Sequence, residues 1–376
     1  MKTIHLILLS CLWATCSQAE FTKHVLSEKF FSEGASVGDI NKDGHLDVIA
    51  GPYWYAGPDF KDSTEIYFPR PYPPGTYSEN FFSWTYDVNK DGWIDVVIVG
   101  LPGKKSEWFE NPQGKTGHWK QHIYADSVDN ESPNLIDITG DGKPELICSQ
   151  AAHLGYFTPQ AEGKWPFTRI SPKGPYGRYT HGLGFGDVNG DGKTDLLEKN
   201  GWWEQTEPGQ LWKHHPFKFA GKGGAQMYTY DFDDDGDNDI LTSLQAHSYG
   251  LAWFEQDAGT FKKHIILSEK NEPGPYNVSF SQLHAIELVD MNGDGVKDIV
   301  TGKRWWAHNS RDPGGNDPAV LYWFETKRAS GKVTFVPHQI DNDSGVGTQV
   351  TVKDLNKNDK PDIIVGNKKG VFVHVQ

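Results

Sequence analysis

Short apolar runs recur along the chain and alternate with polar turns rich in glycine and aspartate. Examples are Asp95–Gly100 (DVVIVG), Trp108–Glu110 (WFE) and Trp119–Ile123 (WKQHI), which have the length and residue types of β-strands. Aromatic residues form 13% of the 376-residue chain, and glycine occupies 41 positions. Such a composition suits short twisted strands joined by tight turns. The pattern therefore predicts an all-β fold.

A nine-residue acidic motif occurs seven times, at residues 39–47, 87–95, 137–145, 187–195, 231–239, 290–298 and 354–362. Five copies keep the pattern D-x-[DN]-x-D-G-x-x-D. The third has Thr139 and Glu145 at oxygen-bearing positions, and the seventh has Asn358-Asp359 in place of Asp-Gly. The sequence leaves open whether these two degraded loops bind metal.

Oxygen atoms at positions one, three, five and nine, with a glycine that lets the backbone turn, match the ligands that Ca²⁺ prefers. An EF-hand is excluded, because position twelve of the first copy is Ala50, after the β-branched pair Val48-Ile49. The alternative is that each Asp-Gly makes only a hairpin turn without metal. The predicted calcium ligands of the five complete copies are Asp39, Asn41, Asp43, Asp47, Asp87, Asn89, Asp91, Asp95, Asp187, Asn189, Asp191, Asp195, Asp231, Asp233, Asp235, Asp239, Asp290, Asn292, Asp294 and Asp298.

Each repeat has room for four strands, which is the content of one propeller blade. The first aspartates of successive motifs lie 44 to 64 residues apart, near the ~40–50 residues of a typical blade. The chain ends on the strand-like Gly370–Val375, with nothing after it, whereas Phe21–Val25 (FTKHV) resembles the outer-strand segment Phe261–Ile265 (FKKHI). We predict one domain over residues 20–376, a seven-bladed β-propeller of four-stranded blades that the N-terminal strand closes.

Residues 1–19 contain an early Lys2, an apolar run and the small residues Ser17 and Ala19, a pattern typical of a signal peptide. Export to the periplasm or the medium is therefore expected, with lipoprotein processing as the alternative. No segment is long and apolar enough for a membrane span. The net charge of −14 disfavours nucleic acid as a partner, and Cys148 would be the one remaining cysteine, so no internal disulfide can form.

The seven acidic loops resemble those of the FG-GAP, or VCBS-repeat, propellers, and the likeness covers essentially the whole mature chain. That resemblance implies the fold, while the family includes adhesion heads, lectins and enzymes. A narrower resemblance, carried by Tyr179–Gly186, Asn200–Glu204 and Gly302–His308, is to the propeller part of aldos-2-ulose dehydratase. It implies a lyase that acts on sugars.

The histidines divide into two classes by their position in the repeat. His24, His122, His214, His264 and His338 recur at one position of the outer strand, so we expect them to be structural. His181 and His284 precede innermost strands, whereas His153 and His247 lie between second and third strands, and blade topology places all four on one face. Imidazoles close together can share a transition metal such as Zn²⁺ or divide base and acid roles. The alternative is that the four are ordinary hydrogen-bonded loop histidines that share a face by coincidence.

Other residues are predicted for the same face, which we call the top face. Candidates for the chemistry, besides the four histidines, are Glu131, Lys303 and Arg304. Candidates for holding a sugar are Tyr53, Trp54, Trp84, Lys199, Gln226 and His308, although packing is an equally ordinary role for the aromatic residues. The polar insertion at residues 307–319 is expected to overhang this face.

Two functions from different classes fit these features. The first is a carbohydrate-active lyase or dehydratase that performs β-elimination on an oxidised sugar: a histidine removes the proton next to a carbonyl, and Arg304, Lys303 or a bound metal stabilises the enolate. The second is a non-catalytic propeller that binds glycans or proteins. Hydrolysis by paired carboxylates is less favoured, because the aspartates are committed to the calcium loops.

Overall fold

Antiparallel strands form almost all of the regular structure. A computed structural model describes residues 20–376, so the predicted export signal at residues 1–19 lies outside the described residues. Within them there is one short 3₁₀ segment, Ala307–Ser310. No helix in this part of the chain is long and apolar enough to cross a membrane. The protein is all-β, as its apolar pattern predicts.

The strands follow one another closely along the chain. In order they are β1 (Thr22–Ser27), β2 (Ser36–Gly38), β3 (Asp47–Ala50), β4 (Tyr53–Tyr55), β5 (Ser63–Glu65), β6 (Phe82–Tyr86), β7 (Asp95–Val99), β8 (Lys104–Glu110), β9 (Lys120–Ile136), β10 (Glu145–Gln150), β11 (His153–Phe157), β12 (Phe167–Arg169), β13 (Leu183–Gly186), β14 (Asp195–Glu198), β15 (Gly201–Glu204), β16 (Lys213–Pro216), β17 (Gln226–Tyr230), β18 (Asp239–Ser243), β19 (Leu251–Asp257), β20 (Thr260–Leu267), β21 (Ile286–Val289), β22 (Asp298–Gly302), β23 (Leu321–Ala329), β24 (Lys332–Asp341), β25 (Val350–Lys353), β26 (Asp362–Asn367) and β27 (Gly370–Val375).

The strands pair in antiparallel groups of four. Groups one and six are β2–β5 and β21–β24. Groups four (β13–β16) and five (β17–β20) are joined into one sheet by a parallel pairing of their first strands, β13 and β17. The long strand β9 serves two groups, because residues 120–128 pair with β8 and residues 129–136 pair with β10. Group two is thus β6–β8 with the first part of β9, and group three is the rest of β9 with β10–β12. In group seven, the N-terminal strand β1 pairs with β27 beside β26 and β25.

The hydrophobic core lies between neighbouring groups. One cluster joins Ile49 of group one to Ile98 and Phe109 of group two, and comparable clusters join each later pair. A further cluster packs Ile364 of group seven against Val48 of group one. Each group therefore buries both of its faces against neighbours, including the first group against the last.

The ninth residue of each acidic motif is the first residue of a second strand and is buried. Asp95 is typical, because one carboxylate oxygen accepts a hydrogen bond from the Val88 amide at 2.9 Å and the other accepts one from the Asn111 amide at 2.9 Å. The same double acceptance recurs at Asp47, Asp195, Asp239, Asp298 and Asp362. This side chain, a predicted calcium ligand in the complete copies, therefore also ties the loop to its sheet.

Most outer-strand histidines lie flat on a tryptophan of the adjacent strand. His264 stacks on Trp253 with 4.5 Å between ring centroids, and its Nε2 lies 2.5 Å from Glu255. His122 and His338 make the same pair of contacts. In group four the equivalent residue is His215, which stacks on Trp202 and contacts Glu204. His214, which the repeat alignment had placed in this set, is therefore one residue out of register.

Candidate functional site

Three of the four out-of-register histidines lie close together. His181 precedes β13, His247 lies between β18 and β19, and His284 precedes β21. His181 Nε2 and His247 Nε2 are 2.8 Å apart, and the His247 and His284 ring centroids are 4.7 Å apart. One nitrogen from each ring lies within 4.8 Å of one from each of the others. We call these three residues the histidine cluster.

Backbone hydrogen bonds between neighbouring groups hold the loops at this site in place. The His181 segment is tied by the Gly182 amide to the Gly224 carbonyl at 3.1 Å, and the Gln282 amide donates to the Ser248 carbonyl at 2.7 Å. Comparable bonds join further neighbours, Glu33 to Asn80, Glu131 to Thr180, Val346 to Lys303 and Thr348 to Glu33, whereas the bonds from Ala246 to Gly223 and from Arg304 to Gln282 tie loops within groups five and six. Side chains carried on these loops are therefore positioned by rigid backbone.

Hydrogen bonds indicate which ring nitrogen of a histidine in the cluster carries the lone pair that could bind a metal. His284 Nδ1 donates to the Gln282 carbonyl at 3.3 Å, so its neutral ring carries a lone pair on Nε2, which has no partner among the described residues. His247 Nδ1 lies 3.1 Å from an Asp312 carboxylate oxygen, which directs its Nε2 lone pair towards His181. His181 Nδ1 lies 4.0 Å from Glu131. That distance is too long for a hydrogen bond, and His181 Nδ1 has no partner in the described chain. His247 and His284 therefore each have an acceptor near Nδ1, the arrangement that orients histidines which bind metal through Nε2.

The cluster is electrostatically suited to neutral imidazoles. Burial, together with the charge of Arg304, lowers the pKa of His181 to about 4. Burial and the neighbouring His181 and His308 lower the pKa of His247 to about 3, and burial lowers the pKa of His284 well below its usual range. The three rings are therefore uncharged at neutral pH, the state that binds a metal.

The insertion at 307–319 contributes His308 and Asp312 to the site. His308 stacks on His247 with 4.3 Å between centroids, and its Nδ1 lies 3.1 Å from the Asp312 oxygen that His247 Nδ1 also approaches. The His308 side chain is 49% exposed, so one face of this ring is open to solvent. His308 has φ 49° and adjoining Asn309 φ 54°, left-handed conformations that histidine and asparagine adopt more readily than most other residues with a side chain. The fold holds this insertion against the cluster.

A buried ion network lies beside the histidines. Arg304 is 2% exposed and binds the Glu33 carboxylate through Nε at 2.8 Å and through an Nη atom, while its other Nη lies 3.7 Å from Glu131. Burial raises the pKa of Glu131 to about 7, although Arg304 opposes the shift. One Glu33 oxygen has no hydrogen-bond partner in the described chain. Arg304 is therefore committed to two carboxylates rather than free to bind a substrate by itself.

Two lysines add cationic character. Lys303 Nζ donates to Ser281 Oγ at 3.1 Å and to the Gly314 carbonyl, and burial lowers its pKa to about 8. Lys368 lies over the ring of Tyr77 at 4.3 Å, and burial likewise lowers its pKa to about 8.

The remaining predicted site residues lie elsewhere. His153 donates to the Ser171 carbonyl at 3.0 Å and is not part of the cluster. Tyr53 packs edge-on against Phe31, and Trp54 lies in the core between groups one and two. Trp84 and Gln226 line a cavity of about 230 Å³ between the first strands of the groups, and Lys199 Nζ contacts the Lys222 carbonyl at 3.3 Å.

Three residues near the cluster were missed in the sequence, although each left a signal. Glu33 occupies the position before an innermost strand, as Glu131 does. Lys368 lies in a turn between second and third strands, as His247 does. Asp312 follows His308 by four residues within the insertion. Only the contacts of these residues distinguish them from ordinary loop polar groups.

The acidic loops offer a second kind of metal site. In the fifth copy, carboxylate oxygens of Asp231, Asp233 and Asp239 all lie within 4.8 Å of one another. One Asp233 oxygen and one Asp39 oxygen are buried without a hydrogen-bond partner in the described chain. In all five complete copies a loop carboxylate also accepts bonds from loop amides, as when Asp39 accepts from the Gly44 amide and Asp231 from the Gly236 amide, each at 3.1 Å.

Comparison with known proteins agrees with this architecture. The profile of FG-GAP-like repeats matches residues 87–148 and 231–301. The chain therefore carries FG-GAP-like repeats, which confirms the family expected from the acidic motif. A search of curated protein sequences finds no match.

Among solved structures, exotype rhamnogalacturonan lyase YesX aligns with a TM-score of 0.50 at 13% identity, over 96% of this chain and 75% of that chain. Rhamnogalacturonan lyase YesW and the Bacillus licheniformis rhamnogalacturonan lyase PL11 align with TM-scores of 0.46, at 14% and 12% identity; each comparison covers 95% of this chain and 72% of the other. At such low identity, the first similarity shows a shared fold. The narrower resemblance to aldos-2-ulose dehydratase stays a prediction.

Proposed function

We propose that the seven groups are the blades of a seven-bladed β-propeller, which β1 closes by completing group seven. The core cluster between groups seven and one supports this arrangement, since it repeats the packing between every other pair. The cavity that Trp84 and Gln226 share with residues of β13, β21 and β25 would be its central channel. The histidine cluster then lies at the top mouth of the channel.

We further propose that the protein is a carbohydrate-active carbon–oxygen lyase that acts on an oxidised sugar at this mouth. The observation that carries the proposal is the meeting of His181, His247 and His284, three residues outside the repeat register, next to the exposed His308. A repeat-built scaffold has no structural need for four clustered imidazoles, whereas elimination next to a carboxylate or carbonyl needs a base and stabilisation of an enolate.

His308 is the residue best placed to exchange a proton with a substrate. Asp312 orients its ring through Nδ1, which leaves Nε2 as the reactive nitrogen. In the elimination, His308 accepts the proton from the carbon next to the sugar carboxylate, the electron pair of that C–H bond forms the C=C bond, and the C–O bond breaks. The protonated His308 then donates the proton to the departing oxygen. The sequence predicted that one of the four out-of-register histidines would act as the base. We propose His308 instead, because His153 lies apart from the cluster and His181 is buried.

The donor set of the histidine cluster fits one divalent transition metal such as Zn²⁺. Nε2 of His247 and of His284 and one ring nitrogen of His181 would hold it, with Asp312 and the Gln282 carbonyl as orienting partners. A cation there would polarise the substrate carboxylate or carbonyl and stabilise the enolate.

We also propose that the complete acidic loops bind Ca²⁺ as a structural ion, and that the protein is exported. The clustered oxygens of Asp231 and Asp233, with the unpaired Asp39 oxygen, support the calcium assignment. Metal analysis of the purified protein should find several calcium ions and one transition metal per chain. The absence of calcium would contradict the loop assignment.

The lyase activity can be tested on polysaccharides that contain uronic acids, with rhamnogalacturonan first because of the shared fold. The assay follows the ultraviolet absorbance of the C=C bond that forms in conjugation with the carboxylate. We expect turnover in the wild type, none in His308→Ala, and full turnover in the control His264→Gln, whose histidine is in the outer strand. Glycan binding without turnover by the wild type would instead support the non-catalytic alternative.

A further inference from the structure

A groove between groups one and two has the features of a sugar-binding subsite. It has a volume of about 320 Å³ and is lined by Phe31, Tyr67, Phe68, Arg70, Tyr72 and Asn80, among others. We call it the aromatic groove. This volume is at the lower end of the roughly 300–1,000 Å³ of small-molecule sites.

The aromatic side chains of the groove have different surroundings. Tyr67 stacks on Phe109 at 4.7 Å between centroids, and Tyr72 packs against Phe30 at 5.9 Å. Phe68 is 76% exposed, the most exposed large hydrophobic side chain of the described residues. A phenyl ring left in water beside a groove provides a flat apolar surface of the kind on which the C–H face of a pyranose ring packs.

The segment that carries these rings is stiff. Pro69, Pro71, Pro73 and Pro74 fix its φ angles, and the Tyr72 amide donates to the Phe30 carbonyl at 2.8 Å. A ligand that binds there would lose little affinity to ordering of the loop.

The polar groups of the groove provide both donors and acceptors. The side-chain amide of Asn80 is 2% exposed, and neither its oxygen nor its nitrogen has a well-formed hydrogen bond in the described chain. Arg70 is exposed and forms no ion pair among the described residues, whereas Glu79 offers acceptors. Lys105 and Glu107 are paired with each other at 2.8 Å. This balanced set matches the hydroxyl groups of a sugar, which both donate and accept, better than it matches an ion.

Residues beside the groove contact the buried ion network that lies next to the histidine cluster. The Asn80 carbonyl accepts from the Glu33 amide at 2.8 Å, and the Glu33 carboxylate binds Arg304. Tyr77, on the same proline-rich segment, lies under Arg304 at 5.7 Å and under Lys368 at 4.3 Å. One proline-rich segment therefore lines the groove and also contacts Arg304 and Lys368, the cations beside the histidine cluster.

We propose that the aromatic groove binds a pyranose ring of the same glycan chain whose oxidised sugar occupies the histidine site. The substrate class is then an oligosaccharide or polysaccharide rather than a free sugar. This inference rests on the proposed carbohydrate function for the nature of the ligand, but it requires binding, not turnover.

The test uses the full-length mature protein on an array of immobilised neutral and uronate-containing oligosaccharides of several lengths, followed by calorimetric titration of the best binder. We expect Phe68→Ala to weaken binding about tenfold and Arg70→Ala to weaken it less, with longer chains affected and single sugars not. Leu211→Ala is the matched control, because Leu211 is 52% exposed between β15 and β16, in group four. It should bind as the wild type does.

The outcomes separate this inference from the proposed activity. Binding that Phe68→Ala weakens, in a protein that never turns over any glycan, would support the groove and contradict the lyase. If the wild type turns over a glycan and Phe68→Ala has the same affinity and the same chain-length preference, the groove proposal alone is contradicted. If the wild type binds no oligosaccharide on the array, the groove proposal is wrong.

Discussion

The outer-strand histidines and the histidine cluster show how one residue type serves two purposes in the same protein. His264 has a tryptophan face on one side and a carboxylate at Nε2, so its bonding capacity is used within its own sheet. His284 has a bonded Nδ1 and a buried Nε2 without a partner in the described chain. A satisfied side chain stabilises a strand pair, whereas an unsatisfied buried one indicates a ligand. Satisfaction of hydrogen bonds, more than the presence of histidine, separates scaffold from site.

After His308, removal of one cluster imidazole should have the largest effect on activity. We expect His247→Ala to lose the transition metal and to lower kcat/KM by about 10²–10³-fold, because stabilisation of the enolate by a cation is worth several kcal/mol. Metal analysis and the elimination assay measure both. His338→Ala, in the outer set, should keep the metal; equal losses in the two variants would abolish the distinction.

Asp312 tests whether orientation of the imidazoles matters. Asp312→Asn keeps the size of the side chain but removes the charge beside His247 and His308, so we expect metal affinity or activity to fall about 10–100-fold. The free energy of unfolding should barely change, since the residue lies on an insertion. A variant with full activity and metal content would show that Asp312 has no role at the site.

We expect aspartates at different positions of the acidic motif to have different roles. Asp95→Asn removes a carboxylate that accepts two backbone amides, and we expect a loss of about 2–3 kcal/mol with or without calcium. Asp233→Asn should instead lower the melting temperature in calcium and have little effect after chelation. Thermal unfolding of both variants, with calcium and with a chelator, measures the difference. If the melting temperatures of the two variants depended on calcium to the same extent, this difference in roles would be refuted.

Outer-strand histidines should affect stability alone. His264→Ala loses the stack on Trp253 and the bond to Glu255, and we expect a decrease of about 1 kcal/mol in the free energy of unfolding. Chemical denaturation provides the measurement, and the elimination assay should show unchanged turnover. A loss of turnover at constant stability would move this residue into the site.

The smallest effect is expected at Glu287, a carboxylate outside both the outer-strand histidines and the histidine cluster. Burial raises the pKa of Glu287, in the central cavity, to about 7, while Tyr228 and Lys297 oppose the shift. Because a raised pKa means that ionisation costs stability, the wild type should lose stability relative to Glu287→Gln as the pH rises from about 4.5 to about 7. The change should be about 1 kcal/mol, since the side chain is only half-buried. Denaturation at several pH values tests this, and a difference that does not vary with pH would contradict it.

The sequence by itself determined the strand content, the acidic repeat and the histidines that depart from the repeat. These features are periodic, and a period can be recognised without knowledge of contacts. The same reasoning misplaced His214 by one residue, because the alignment of repeats could not detect the pairing of Trp202 with His215. It also predicted the ninth aspartate as a calcium ligand, but it could not reveal that this carboxylate accepts two backbone amides, as Asp95 does.

Only the tertiary structure decided which side chains meet. His181 and His247 are 66 residues apart and Arg304 and Glu33 are 271 apart, yet both pairs are in contact. The physical reason is that each blade-like group buries its faces against its neighbours, which brings one loop from each group to a common mouth. A repeat predicts that such loops share a face, but the distance from His153 to the cluster and the contact of Asp312 with His247 depend on loop backbone and side-chain packing, which no periodicity encodes.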